Sequence, residues 1–324
     1  MYNTGDAKLF LVFKDRRIAG RVAVFANRSE LEQDKKIRFG FLDFEDDKNV
    51  SSLLFEAIEE AAKELNAITI EGPVGFTNLD KAGMLIEGFN EVGTMATWYN
   101  YAYYQKHIEG WGFAKKQDWI EFLFKVPSSI PERVNQYADA IAAKHNLREL
   151  QINNQADLRK VSVKALKLMS ETYQSLYNFL PLTDEQMAFY AEQAINFLPA
   201  KNVLVLENQH GDFVAFAVTM PSLVNATKST NGQLYPFGFL RYLYSMHINT
   251  KAELLLIGVA PAYQNKGITA IIFQKLLRIF ITKDIKTVES NPEQEDNLEV
   301  QSLWKDYESR QHKRRRVYFK KIHD

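Results

Sequence analysis

Apolar and polar positions along the chain follow two rhythms, and the switches between them mark out the elements. Apolar runs broken by a charged turn predict strand pairs in "AKLFLVFKDRRIAGRVAVF" (7–25) and in "KNVLVLENQHGDFVAFAVTM" (201–220). Each pair is followed by a further apolar segment, "IRFGFLDF" (37–44) and "AELLLIGVA" (252–260), and then by a helical period. In "NVSSLLFEAIEEAAKELNA" (49–67), Val50, Leu53, Leu54, Ala57, Ile58, Ala61, Ala62 and Leu65 form one apolar stripe. In "GITAIIFQKLLRIF" (267–280), Ile268, Ile272, Leu276 and Ile279 do the same, with Lys275 and Arg278 outward. A short strand closes each set, "ITIEGP" (68–73) and "KTVESNP" (286–292). One order of elements occurring twice predicts two copies of one α/β unit, each with a helix lying on a sheet.

Between the copies, "PSSIPERVNQYADAIAAKHN" (127–146) becomes helical after Pro131. The expected division is therefore a first unit over 1–127 and a second over 128–324, with 128–147 as a connecting helix. "LRELQI" (147–152) is the expected first strand of the second unit, and 156–179 its first helix. The stretch 224–250, rich in Asn, Thr, Gly and aromatics, reads as a loop or lid.

Composition narrows the chemistry. The chain has 324 residues, 46% hydrophobic and 25% charged, with zero net formal charge, as in a globular protein with no overall pull on nucleic acid or anionic membrane. There is no cysteine, so disulfides, thiolate metal sites and a cysteine nucleophile are excluded. The six histidines are scattered, no pair has ligand spacing, and no metal site is expected. No apolar run approaches the roughly 18 residues of a membrane span, and "MYNTGDAKLFLVF" lacks a signal peptide's basic start. The expectations are a cytoplasmic protein and no membrane partner. The basic run "RQHKRRRVYFKK" (310–321) could follow a phosphate backbone, but it reads better as a solvated late strand, and nucleic acid is not expected.

The stretch "GVAPAYQNKGITA" (258–270) carries the sharpest signal. A turn from strand into helix presents free backbone N–H groups at the positive end of the helix dipole, which suits an anion. Gln264, Asn265, Lys266, Gly267, Ile268 and Thr269 supply a flexible backbone and a cation with no acid among them. Gly258 within an apolar strand predicts a bulge there, with N–H groups of Gly258 and Val259 turned to a cleft. The equivalent turn of the first unit, "FEDDKNVSS" (44–52), places Glu45, Asp46 and Asp47 where an anion would sit, so no such site is expected there.

Gln264-x-x-Gly267-x-Thr269 after "GVAPAY" resembles the pyrophosphate-binding signature of the GNAT N-acyltransferase superfamily. The resemblance covers most of 148–324; Thr269 stands where the family has a small residue. "EDN" (295–297) resembles the start of the family's next helix and "RRVYFKKI" (315–322) its final strand. In the first unit, "YYQKHIEGWGFAKKQDWIEFLFKV" (103–126) is similar to the family's late elements, and "AKLFLVF" to its second strand, with no opening strand or helix before it. "GPVGFTNLDKAGMLIEGF" (72–89), with Asn78, Asp80 and Glu87, reads as a loop shaping a substrate cleft or as a structural loop.

What the resemblance implies is a tandem GNAT-like fold, an α/β protein of two similar mixed-sheet units with a degenerate first copy. It implies an N-acyltransferase that moves an acetyl or longer acyl group from acetyl-CoA or another acyl-CoA to the amine of a small molecule or peptide. Gln264–Thr269 and Asn297 would hold the CoA, and N–H groups near Gly258 and Val259 the thioester oxygen. Glu289 would accept the amine proton. Trp304 falls near the family's proton-donating Tyr position, and Tyr307, one turn on, is the candidate donor. Two alternatives stay open: a catalytically silent acyl-CoA or partner-binding protein, and a peptidyltransferase-like enzyme using aminoacyl-tRNA.

Overall fold

The computed structural model describes residues 4–174, 176–297, 301 and 307–322. The chain divides into two compact units, the first comprising 1–121, 292–302 and 311–324, the second 122–291 and 303–310.

The first unit opens with an antiparallel hairpin of β1 (Gly5–Lys14) and β2 (Arg17–Asn27). Helix α1 (Arg28–Asp34) follows, capped by the Asn27 side chain, and β3 (Lys36–Phe44) pairs antiparallel with β2. Helix α2 (Lys48–Glu64) then crosses to β4 (Thr69–Gly72), which runs parallel to β3. The apolar stripe of α2 is buried at Val50, Leu54, Phe55, Ile58, Ala61 and Ala62, against Val22, Val24, Ile37 and Phe39 of the sheet. β5 (Met84–Glu87), α3 (Tyr103–Gly110) and β6 (Ala114–Lys125) complete this stretch, with β6 contributing 114–121 here.

The second unit repeats the plan. After α4 (Glu132–Lys144), β7 (Arg148–Glu149), α5 (Gln155–Thr172) and α6 (Asp184–Phe197) come antiparallel β8 (Val203–Glu207) and β9 (Phe213–Pro221). Helices α7 (Val224–Ser229) and α8 (Gly238–His247) lead to β10 (Lys251–Val259), antiparallel to β9. Helix α9 (Ile268–Thr282) crosses to β11 (Thr287–Ser290), parallel to β10. Residues 123–125 of β6 then pair with β11. Helix α9 is buried almost all round, because the sheet takes one side and α4 the other. Gln274 satisfies its buried amide on α4, donating to Asn135 Oδ1 and to Asp139 Oδ1 at 3.2 and 3.0 Å.

The last elements return to the first unit. β12 (Glu293–Gln294) pairs with β6 at Trp119 and Ile120. β13 (Ser309–Lys321) pairs antiparallel with β4 through Tyr318–Lys321 and with β5 through Arg314–Arg316. A division at 127 assigns 292–302 and 311–324 to the second unit; the structure puts them in the first. Their strand pattern is as the sequence has it, but the Arg and Lys side chains pair with first-unit carboxylates. The 147–152 strand shortens to two residues, the 156–179 helix ends at Thr172, and 224–250 contains two helices.

Candidate functional site

In the second unit β10 and β11 run side by side only from Lys251↔Thr287 to Leu254↔Ser290. The ladder closes where Asn291 N–H donates to the Leu254 carbonyl at 3.0 Å. At this point β10 gains a residue: Leu254 faces Thr219 and Leu256 faces Val218, leaving Leu255 as the bulge. The bulge is therefore at Leu255 and not at Gly258, which stays in register with Phe216. Gly258 is required for another reason, since a Cβ there would lie 2.5 Å from the Phe216 ring. A bulge needs no glycine; a large aromatic facing the backbone does.

Beyond the bulge, one edge of β10 leaves β11, and its polar groups are treated unequally. Three carbonyls on that edge accept side-chain hydrogen bonds: Leu255 from Asn291 Nδ2 at 3.0 Å, Ile257 from the Tyr173 hydroxyl at 2.9 Å, and Val259 from Gln264 Nε2 at 3.2 Å. In an extended strand a residue's N–H points to the same side as its C=O. The amides of Ile257 and Val259 therefore point along this edge, whereas Gly258 turns its N–H toward β9. The edge has its acceptors satisfied from within and presents donors.

The chain then passes through a tight turn at Pro261–Tyr263 into the loop Gln264–Gly267. Asn265 and Gly267 adopt left-handed φ of 58° and 78°. Gly267 is the N-cap of α9, and no side chain caps this helix. A Cβ on Gly267 would sit 2.7 Å from the hydroxyl of the exposed Tyr137 side chain of α4, which can give way; it is the left-handed φ that favours glycine. Lys266 is exposed, its ammonium 5.3 Å from the centre of the Tyr263 ring. Gln264 turns inward to the Val259 carbonyl, which ties the loop to the strand end. Ile268 is buried in the core and Thr269 half-buried.

Glu289 sits on β11 in register with Glu253 of β10, so the two carboxylates are neighbours on one face of the sheet. That face is opposite to the one on which Ala252, Leu254 and Val288 pack under α9. Glu253 is 3% exposed and lies two residues before the bulge. Sequence reading passed over it, although a Glu inside the apolar run "AELLLIGVA" was a visible signal. Tyr307 packs its ring against Phe124 and Phe273, each 5.8 Å away, which gives it a place in the core. Trp304 lies outside the described residues. Asn297 belongs to the first unit, and its carbonyl accepts from Gln301 N–H at 3.2 Å.

The counterpart turn of the first unit is closed by its own side chains. Asp47 caps α2, accepting from Asn49 N–H at 2.8 Å, and pairs with Lys14. Asp46 bonds His107 Nε2 and Glu45 pairs with Arg17. Where β3 leaves β4, both backbone groups of Phe44 are held by tyrosines: its N–H donates to the Tyr104 hydroxyl and its carbonyl accepts from Tyr103. Burial and the adjacent Asp43 push the Tyr104 hydroxyl far up, so it stays a proton donor to that carboxylate. What remains is a shallow open pocket lined by Arg21, Phe41, Asp43, Trp98 and Tyr104 among others. In the 72–89 loop, Asp80 accepts from Thr77 N–H at 2.8 Å, a bond within the loop itself.

The basic run is also used internally. Arg314 and Arg316 converge on Asp118, while Lys313 and Arg315 converge on Glu121, all within the first unit. Burial opposes ionisation of Asp118, but the Arg316 hydrogen bond and charge outweigh it and hold its carboxyl below the ordinary range. The alternation places 314 and 316 on one face and 315 on the other, as the strand period requires.

No family model matches the chain. It is 25% identical over 318 residues to protein YghO of Escherichia coli, covering 95% of this chain and 80% of that protein. It is 22% identical over 271 residues to a bacterial ceramide synthase of Caulobacter vibrioides, covering 81% of this chain and 69% of the synthase. Among solved structures it is similar to a tandem GNAT protein from the clavulanic acid biosynthesis pathway. The TM-score is 0.54 at 10% identity, with 99% of this chain and 85% of that one covered. The repeated order of strands and helices agrees with that likeness: the chain has the tandem GNAT-like fold.

Proposed function

We propose that the second unit is an acyl-CoA-dependent N-acyltransferase and that the first unit keeps the skeleton without the site. The carrying observation is the donor-only edge of β10 running directly into an uncapped helix. An extended acyl-pantetheine arm rich in carbonyls suits such an edge, and its pyrophosphate suits the loop amides at the α9 N-terminus with Lys266 beside them. Gln264 serves this arrangement from inside, by fixing the loop to the Val259 carbonyl.

In the reaction, an acceptor amine attacks the thioester carbonyl. The Val259 N–H supports the oxyanion as it forms. Glu289 or Glu253 takes the proton that the amine loses. Collapse breaks the C–S bond, and the proton passes from the carboxyl to the departing thiolate, directly or through water. An amide and free CoA result. Tyr307 is a packing residue in this account.

Support for one acceptor class comes from the relative named for ceramide synthesis, a ceramide being a fatty acyl group joined to a long-chain amino alcohol. It favours a lipid amine and a long acyl chain over a small polar amine. The test is thiol release from acetyl-CoA and palmitoyl-CoA, with a long-chain amino alcohol or a small polyamine as acceptor. Release that depends on both the lipid amine and the protein supports the reading. Acyl-CoA binding without release under any pairing would leave a silent binding protein. No binding of either thioester overturns the site.

A further inference from the structure

The segment between β9 and β10 turns its apolar side outward. On α8, Leu240, Leu243 and Tyr244 form a stripe at i, i+3 and i+4, followed by the C-capping Ile248, all between 51% and 62% exposed. In the loop before it, Tyr235 and Phe237 are 81% and 73% exposed. The inner face is the more polar one: Tyr242 donates its hydroxyl to Thr227 Oγ1 at 2.8 Å, and Ser245 and Met246 are half-buried. An ordinary surface helix has the opposite arrangement. A contiguous exposed apolar patch marks an interaction surface.

Charge says which kind. From Phe213 to Ala252 the chain contains no Asp or Glu, while Lys228, Arg241, His247 and Lys251 are all exposed. Tyrosines and long basic side chains around an aliphatic stripe suit the boundary between headgroups and acyl chains, where ring and stem are buried and the polar tip stays wet. Helix α8 has ten residues. That length lies in an interface and does not span one. Among the described residues no helix is long and apolar enough to cross a membrane.

We infer that α8 and the loop 234–237 dock the second unit onto an anionic lipid surface, with Leu240, Leu243, Tyr244 and Ile248 inserted below the headgroups. The expectation of no membrane partner came from whole-chain charge and span length, and neither measures a local patch. The placement has a functional sense. Ile248 is followed within the same unit by β10, so the surface leads to Glu253 and the bulge at Leu255. Given the proposed acyl transfer, a lipid amine would reach the carboxylates from the bilayer. Docking itself is measured without acyl-CoA, so the two readings fail separately.

The test is co-sedimentation of the full chain with phosphatidylglycerol–phosphatidylcholine vesicles and with pure phosphatidylcholine vesicles. Binding is expected to the anionic vesicles and to weaken with salt. Phe237→Ser with Leu240→Ser should lower partitioning at least about tenfold, and Arg241→Gln about fivefold. Unchanged thermal unfolding certifies the fold, and Leu243→Ser with Tyr244→Ser reads the same surface if the first pair does not fold. No vesicle binding, or full binding by both double variants, overturns the inference. So does self-association without vesicle binding that the double variant abolishes, which would make the patch an interface between copies.

Discussion

The two strand–turn–helix passages, β3 into α2 and β10 into α9, share a skeleton and differ in who satisfies their backbone. Both strands are bulged: β3 has Phe41 and Leu42 opposite Val22, with Phe41 at φ 50°, and β10 has Leu255. Both leave a parallel neighbour and feed a crossover helix. In the first unit the helix start holds a carboxylate, Asp47, and tyrosine hydroxyls take up the strand end. In the second, Gly267 caps nothing, and side chains quench only the carbonyls of the edge. The difference lies in side chains on a shared skeleton: the helix start of the first unit carries its own anion, Asp47, and that of the second has no side-chain cap.

The comparison can be broken at several points. Val259→Pro removes one N–H from the unpaired edge while leaving the β9 ladder intact. It should lower kcat/KM by about 10²–10³, and an unchanged value in a folded variant would take Val259 out of the site. Glu253→Gln and Glu289→Gln separate the two carboxylates. The one that accepts the amine proton should cost about 10² or more in kcat. If neither loses rate, the base lies elsewhere. Gly258→Ala drives a methyl into the Phe216 ring and should destabilise the protein by about 1–3 kcal/mol, read from urea unfolding.

Much of this was legible in the sequence. The period of 49–67 allows only one buried face, and the repeat of apolar runs fixes the order of elements in both units. The acids of "FEDDKNVSS" announced a filled helix start. The Thr183–Gln186 capping box of α6 was there to read but stands in a weakly periodic stretch. Other features have no local signature. The pattern of 309–321 says strand but not which sheet edge it joins, and that depended on Asp118 and Glu121 far away in the chain. The period of α8 shows a stripe but not that it faces outward. Glu253 is visible as a charge inside an apolar run, but nothing local says that Glu289 lies beside it. Gly258 drew attention to itself, whereas the bulge fell on an ordinary leucine.

The smallest effects sharpen the comparison most. Asp47 has its carboxyl held below the ordinary range by Lys14, with help from the Asn49 amide. A depressed carboxyl stabilises the fold above its unfolded value and loses that contribution as pH falls through its folded value. Asp47→Ala should therefore lower the melting temperature at neutral pH and leave it unchanged in acid. Lys266→Glu places in the second unit the charge that the first already has. The carboxylate should favour the helix start by about 0.3–1 kcal/mol while repelling a polyphosphate.

The most direct measurement is calorimetric titration of the intact chain, Lys266→Glu and Asp47→Ala with acetyl-CoA. The account predicts one site per chain, weakened at least about tenfold, or 1.4 kcal/mol, by Lys266→Glu and untouched by Asp47→Ala. Two sites per chain, or full affinity in a folded Lys266→Glu variant, would contradict it.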